Sequence, residues 1–186
     1  IPVAHVEAGL RTNSITEPFP EECNRRLISQ IASLHFAPTN KSYEILKKSK
    51  VEGNIYMTGN TVIDALKYVI DNNLYSNDIL KLEDKKYILA TVHRRENWGN
   101  NLNNICRAFK ELINQNRDFN LLLPLHPNKI VSKPIIDILG NHSRIKLVKP
   151  LRYLDLINAL DNCYFILTDS GGLQEEAPSL NKPVLV

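Results

Sequence analysis

Five clusters of polar residues hold the side chains with which this chain could do chemistry. Each cluster follows a short apolar run or begins a stretch of helical period. They are 5–12 (HVEAGLRT), 20–25 (PEECNR), 91–97 (TVHRREN), 126–128 (HPN) and 168–176 (TDSGGLQEE). Histidines and carboxylates move protons, arginines hold phosphates, and glycines let a backbone approach a ligand closely. Because ligands of open parallel sheets lie beyond the carboxyl ends of the strands, the pattern predicts a binding site built from these clusters.

The segment Ser170-Gly171-Gly172 lies between a predicted strand and a predicted helix. The free N–H groups at a helix start favour an anion such as a phosphate. The carboxylate of Glu176, one turn further on, has the chemistry to accept both hydroxyls of a ribose. The alternative is a capped turn followed by a solvated acidic turn, and a bare SGG does not decide between them.

A second basic cluster, His93-Arg94-Arg95, follows another predicted strand. Two arginines and a histidine can hold a diphosphate through charge-assisted hydrogen bonds. The alternative is a surface turn with local ion pairs. His126 is equivocal, because a lone histidine at a strand end is more often structural or solvent-facing than catalytic.

Carboxylates occur at two further places. Glu7 ends a predicted buried strand, where its charge is costly unless it is used or paired, and Arg11 is the candidate partner. Glu21 and Glu22 begin a predicted helix, whose dipole favours acids in any case. Arg25 lies four residues after Glu21, so that an ion pair within the helix is also possible.

Composition excludes several classes of protein. The chain has 186 residues, 43% of them hydrophobic and 23% charged, with a net charge of +3. It is therefore neither disordered nor collagenous, it has no apolar run long enough to span a bilayer, and its charge forms no stripe for nucleic acid. Cys23, Cys106 and Cys163 form no CxxC pair, so neither a disulfide framework nor a zinc site is expected, and a reducing cytoplasm suits them.

Short apolar strands alternate with predicted helices, which indicates an α/β fold with parallel sheets. The range 21–34 fits one helix, with Leu27, Ile28, Ile31 and Leu34 on one face. The stretch 72–86 is polar, and its apolar pattern is broken. A domain border is expected just before it, between residues 1–60 and 61–186. Both ends of the chain fall in predicted strands, so we expect a piece of a longer protein.

In this order the motifs HVEAGLRT, PEExNR, HFAPT, GNTVID, HRREN and TDSGGLQEEAPSLxKPVLV resemble the non-hydrolysing UDP-N-acetylglucosamine 2-epimerases of bacteria, from His5 to Val186. The resemblance implies two Rossmann-like domains of glycosyltransferase-B type, both incomplete here, with the active site in the cleft between them. Residues 1–60 would be the C-terminal part of the N-terminal domain, and 61–186 would form most of the C-terminal, UDP-binding domain. The chain departs from the family at Lys129, usually proline, and at Asn181, usually glycine.

The resemblance also implies the reaction, which interconverts UDP-GlcNAc and UDP-ManNAc by eliminating UDP to a 2-acetamidoglucal and adding it back. Glu7 and Glu21 would move protons at C2 together with an aspartate absent from this chain. His93 would lie near the leaving diphosphate, and Arg25 would neutralise developing charge. The implied substrate-binding residues are Ser170, Gly171 and Gly172 for the diphosphate and Glu176 for the ribose.

No metal or other cofactor is implied. The resemblance suggests a cytoplasmic homodimer that serves cell-envelope polysaccharide synthesis, with a second UDP-GlcNAc as an allosteric activator near Arg94 and His126. Three alternatives stay open: a hydrolysing epimerase that releases ManNAc and UDP, a retaining glycosyltransferase, and an inactive nucleotide-binding fragment. The HRREN motif favours the non-hydrolysing enzyme over the first.

Overall fold

The computed structural model describes residues 1–75 and 86–186, and they divide into two compact units, Ile1–Ala65 and Leu66–Val186. Most of the polar stretch predicted at 72–86 lies outside the described residues. The assignment of 1–60 and 61–186 to two domains of a longer enzyme stays a prediction.

The first unit contains a three-stranded parallel sheet in the order β1-β2-β3. The strands are β1 (Ala4–Val6), β2 (Leu34–Ala37) and β3 (Asn54–Met57), and the helices are α1 (Glu21–Ile31) and α2 (Asn40–Lys48). Helix α2 starts where the Thr39 side chain accepts the backbone N–H of Ser42, as expected of a threonine cap.

Helix α1 is shorter than its apolar period predicts. It ends at Ile31, because Ala32 turns to an extended conformation with ψ 137°. The backbone N–H groups of Ser33 and Leu34 then donate to the carbonyl of Val3, which ties the chain into the sheet. The prediction that Leu34 belongs to the helix is therefore wrong: it is the first residue of β2.

The second unit contains a five-stranded parallel sheet in the order β6-β5-β4-β7-β8. Its strands are β4 (Lys86–Thr91), β5 (Phe119–Pro124), β6 (Ile145–Val148), β7 (Phe165–Thr168) and β8 (Val184–Leu185). The helices are α3 (Thr61–Asp71), which crosses the division between the units, α4 (Asn100–Gln115), α5 (Lys129–Leu139), α6 (Tyr153–Asn162) and α7 (Gly171–Ser179), with a 3₁₀ turn at Arg95–Asn97.

Both faces of this sheet are covered by helices. Along β4, Ile88 and Ala90 pack in one core with residues of α4 and α5, whereas Tyr87 and Leu89 pack in the other with residues of α6 and α7. Alternate residues of a strand point to opposite faces, so a strand buried on both sides must be apolar throughout. None of the described helices is both long and apolar enough to cross a bilayer.

The strand order reverses at the centre of this sheet. From β4 the chain builds outward through β5 to β6, and then returns to place β7 on the other side of β4. The helices that follow β4 and β7 therefore lie on opposite faces, and the loops after the two strands separate. This is the switch point at which open α/β sheets bind ligands.

Candidate nucleotide-binding site at the switch point

A cleft of about 320 Å³ opens beside the carboxyl ends of β4, β5 and β7. Much of its lining is leucine and proline, and the polar side chains come from Thr91, His93, His126, Ser170 and Glu176. Three of the five polar clusters predicted from the sequence thus meet within the second unit. The parallel strand order brings them together, because neighbouring strands end at the same edge.

Helix α7 begins in this cleft with a defined cap. Ser170 is the N-cap, and its Oγ accepts the backbone N–H of Leu173 at 3.5 Å. The backbone N–H of Ser170 donates to Oγ1 of Thr168 at 2.9 Å, and the hydroxyls of Thr168 and Thr91 lie 2.6 Å apart. The predicted capped turn is therefore present, and its geometry is tied to the end of β4.

The cap leaves the amides of Gly171 and Gly172 in the first turn of α7, where helical N–H groups have no partner within the helix. A Cβ added at Gly172 would meet nothing closer than Oε1 of Glu176 at 3.9 Å. At Gly171 the nearest atom is Nη2 of Arg94, at 3.6 Å. The backbone is thus open to a ligand here, with positive charge beside it.

Asp169 joins the two clusters that were candidates for a diphosphate. Its carboxylate accepts the backbone N–H groups of His93 and Arg94 at 3.0 and 2.9 Å, and the side-chain amide of Asn97 at 2.9 Å. It also lies 3.1 Å from Nδ1 of His93. Sequence reasoning gave Asp169 no role, although an acid between a strand end and Ser170 was the available signal.

The side chains of Arg94 and His126 have partners of their own. Arg94 is exposed and lies 3.5 Å from the Glu96 carboxylate, as the interpretation as a surface turn predicted. His126 is half-buried, and its Nδ1 accepts the backbone N–H of Asn128 at 3.1 Å. Its ring meets the edge of Trp98 with centroids 6.1 Å apart. His126 thus has structural partners and lines the cleft as well.

Glu176 stands half-buried one turn into α7. Burial, and secondarily the negative charge of Glu175, raises the pKa of its carboxyl above the ordinary value. Such a group gains from a ligand that donates hydrogen bonds to it, as a pair of hydroxyls would.

In the first unit, Glu7 lies directly after β1 and is exposed, not buried as its position suggested. Its backbone has φ 61°, in the left-handed region that non-glycine residues rarely adopt. Gly9, two residues on, has φ 89°, and a Cβ there would collide with the carbonyl of Ser42. Strain of this kind persists where the surrounding structure fixes a turn, and it clusters at functional sites.

Arg11 is not the partner of Glu7. Its guanidinium donates to the carbonyl of Leu10 at 2.8 Å and to Oγ of Ser29 at 2.7 Å. Ser29 is buried on α1, whereas Leu27 and Ile31 on the predicted apolar face are exposed. The buried part of α1 is therefore polar, which its apolar period did not predict.

The two acids at the start of α1 have different environments. Glu22 is 0% exposed, and its carboxylate accepts Nε of Arg26 at 2.8 Å and the backbone N–H of Thr12 at 3.1 Å. Arg25 approaches the same carboxylate at 3.7 Å, so its pairing is with Glu22 and not with Glu21. Glu21 is exposed, and within residues 1–75 and 86–186 it is in no ion pair.

The pKa of the Glu22 carboxyl is lowered. Burial acts to raise it, but the hydrogen bonds from Arg26 and Thr12, together with the charges of Arg26 and Arg11, outweigh burial. Glu22 is thus a structural carboxylate, and Glu21 is the one available to a ligand. Across the described ranges, no group of three or more His, Cys, Asp or Glu could hold a metal ion.

Comparisons with known proteins identify the family. The sequence model described as UDP-N-acetylglucosamine 2-epimerase matches residues 1–186. The chain belongs to this epimerase family. It is 46% identical to the UDP-N-acetylglucosamine 2-epimerase of Campylobacter jejuni, covering 100% of the chain and 52% of that protein. The chain spans about half the length of the curated relatives it matches.

Solved structures of the epimerase family have the same fold. The S. aureus MnaA–UDP co-structure matches with a TM-score of 0.93 at 50% identity, and the chain covers 51% of it. The Neisseria meningitidis UDP-GlcNAc 2-epimerase bound to UDP-GlcNAc matches with a TM-score of 0.88 at 42% identity, with 53% covered. The predicted family and the predicted α/β class with parallel sheets are confirmed. The predicted roles of individual residues, and their meeting at one substrate, stay predictions.

Proposed function

We propose that the enzyme containing this chain interconverts UDP-GlcNAc and UDP-ManNAc at C2 and keeps the sugar attached to UDP. The observation that carries the proposal is the switch-point cleft, in which the start of α7 faces the His93 loop. Membership of the epimerase family and relatives described with UDP or UDP-GlcNAc bound support it.

In this proposal the second unit binds the nucleotide. The backbone amides of Gly171 and Gly172, with Ser170, hold the diphosphate at the positive end of the α7 dipole. The Glu176 carboxylate accepts the ribose hydroxyls. Charge explains this arrangement. The anionic diphosphate lies at the positive start of α7, and the ribose hydroxyls donate to the Glu176 carboxylate one turn further on.

The chemistry needs proton transfer at C2. A base removes the C2 proton, the C1=C2 double bond forms, and the electron pair of the C1–O bond leaves with UDP. UDP then adds back to C1, and a proton returns to the opposite face of C2. These steps together are an isomerisation that consumes neither water nor an oxidant. They require acid–base groups on both faces of C2.

We assign the acid–base roles to Glu7 and Glu21, as the family resemblance implies, with a further aspartate outside this chain. Both carboxylates are exposed in the first unit, and Glu7 sits on a strained turn. Arg25 would neutralise charge on the departing diphosphate, and His93 would act beside it. The same resemblance supports a homodimer and a second UDP-GlcNAc near Arg94 and His126.

Epimerisation in D₂O tests the reaction. The full-length enzyme with UDP-GlcNAc should yield UDP-ManNAc carrying deuterium at C2, as followed by NMR, because the proton that returns comes from solvent. A matched control is Lys129→Ala, which alters an exposed residue outside the cleft lining and should leave the rate unchanged. Release of free ManNAc with UDP would show a hydrolysing enzyme instead.

A further inference from the structure

We propose that Asp169 is a positioning residue that holds His93 with its proton on Nδ1, so that Nε2 is the nitrogen available at the cleft. The inference about the tautomer comes from the geometry of the second unit alone. Its catalytic consequence rests on the proposed function.

Asp169 places a carboxylate oxygen against a ring nitrogen of His93. Oδ1 of Asp169 lies 3.1 Å from Nδ1 of His93. A carboxylate offers only acceptors, so the ring nitrogen that faces it carries a hydrogen. The same carboxylate accepts the backbone N–H of His93, so a backbone hydrogen bond and a close side-chain contact hold the imidazole beside Asp169.

The Asp169 carboxylate is itself held in place by other donors. The backbone N–H of Arg94 and the side-chain amide of Asn97 donate to Oδ2 at 2.9 Å each. The Asp169 side chain is 13% exposed, whereas that of His93 is 45% exposed. The acceptor therefore stays in place whatever the ring does, and solvent screens the pair less than it screens a surface ion pair.

The consequence concerns the departing diphosphate. With Nδ1 held against Asp169, the nitrogen that His93 presents to the cleft is Nε2. When both nitrogens are protonated, Nε2–H can donate to the diphosphate oxygen that receives the C1–O electron pair. The negative charge of Asp169 stabilises that cationic ring between two acceptors.

The Asp169→Asn substitution should move the proton of neutral His93 to the other ring nitrogen. Asp169→Asn keeps an oxygen for the Arg94 and Asn97 donors but turns an amide N–H₂ toward the ring. His93 Nδ1 must then accept, and its proton moves to Nε2. The ring can still donate to a phosphate, but as a neutral group.

Nitrogen NMR on the full-length enzyme with ¹⁵N-labelled histidine measures the tautomer. The His93 signals are assigned by their loss in His93→Gln. We expect the neutral ring to carry its proton on Nδ1 in the wild type and on Nε2 in Asp169→Asn. Asn97→Ala, which removes another donor to the same carboxylate, should leave the tautomer unchanged. A wild-type proton on Nε2, or a tautomer that does not respond to Asp169→Asn, would overturn the inference.

Kinetics of the same variants test the consequence. We expect Asp169→Asn to lower kcat about 10²-fold, the size of one lost charge-stabilising donor, with KM for UDP-GlcNAc little changed. If Asp169→Asn instead disorders the loop that carries His93, KM should rise and the His93 tautomer should not change. That result would contradict a positioning role for Asp169. If the tautomer inverts and kcat is retained, the positioning holds and the proposed role of His93 fails.

Discussion

Replacement of Glu22 by glutamine should make the first unit easier to unfold, whereas the same change at Glu21 should slow the reaction strongly. The two acids are neighbours at the start of α1, with the same helix dipole. Glu22 is fully buried against Arg26 and Thr12, and Glu21 is exposed. Their adjacent positions make each variant the control for the other.

The magnitude for Glu22→Gln follows from its contacts. A hydrogen bond to a charged group contributes ~1.5–3 kcal/mol. Glutamine keeps an oxygen for the Thr12 N–H but turns an amide donor toward Nε of Arg26. The Arg26 side chain is 45% exposed, so water takes over part of its solvation. We expect a loss of about 2 kcal/mol, which is about 4–8 °C in Tm for a domain of ~150–250 residues.

The effect should depend on pH in a known direction. The folded state lowers the pKa of the Glu22 carboxyl below its ordinary 4.5, so the unfolded state binds more protons in that range. The stabilisation is complete above that value and is lost as the pH falls through the lower, folded pKa. The Tm difference between wild type and Glu22→Gln should therefore be full at pH 7 and shrink in acid.

Turnover and thermal unfolding of both full-length variants are the assay. Glu21→Gln should lower turnover ~10²–10⁴-fold, the usual range for a general acid or base, with Tm and UDP affinity nearly intact. Glu22→Gln should show the opposite pattern. Near-normal turnover in Glu21→Gln would mean that Glu21 is only a helix-start acid, and an unchanged Tm in Glu22→Gln would refute the energetic argument.

Three further predictions concern the second unit. Gly172→Val should fold normally, because a Cβ there has room, but should lose UDP binding in calorimetry as the side chain fills the ligand's place; unchanged affinity would leave only a capped turn. Glu176→Gln should weaken UDP binding and raise the Tm of the free enzyme at neutral pH, because a raised pKa means that ionisation costs stability as the pH rises; wild-type UDP affinity in the variant would count against ribose binding. Asn181→Val should cost ~1–2 kcal/mol in thermal denaturation, since Asn181 has φ 57°, while Asn181→Gly should be tolerated; equal Tm values would contradict the backbone argument.

The apolar pattern predicted helices and strands correctly wherever the tertiary packing buries the same residues that the pattern groups on one face. Strands and helices alternate along the described chain, as the apolar runs and helical periods predicted. The apolar period failed at Leu34, where backbone bonds to Val3 begin a strand. It also failed for the face of α1, because Glu22 is buried against Arg26 of the same helix and Thr12 of the preceding loop.

The sequence by itself determined the family, the parallel α/β class and the polar clusters at the strand ends, because motif order, apolar period and turn residues are properties of neighbouring positions. Asn181, where the family usually has glycine, has φ 57°, a left-handed backbone that asparagine tolerates better than most residues. Only the tertiary structure decided which charges pair. Asp169 binds a loop 76 positions earlier in the chain, and Glu22 takes the arginine expected for Glu21. The first choice depends on strand order, which brings together groups that no local spacing relates. The second depends on burial, which selects between two acids that helical spacing places equally well for Arg25.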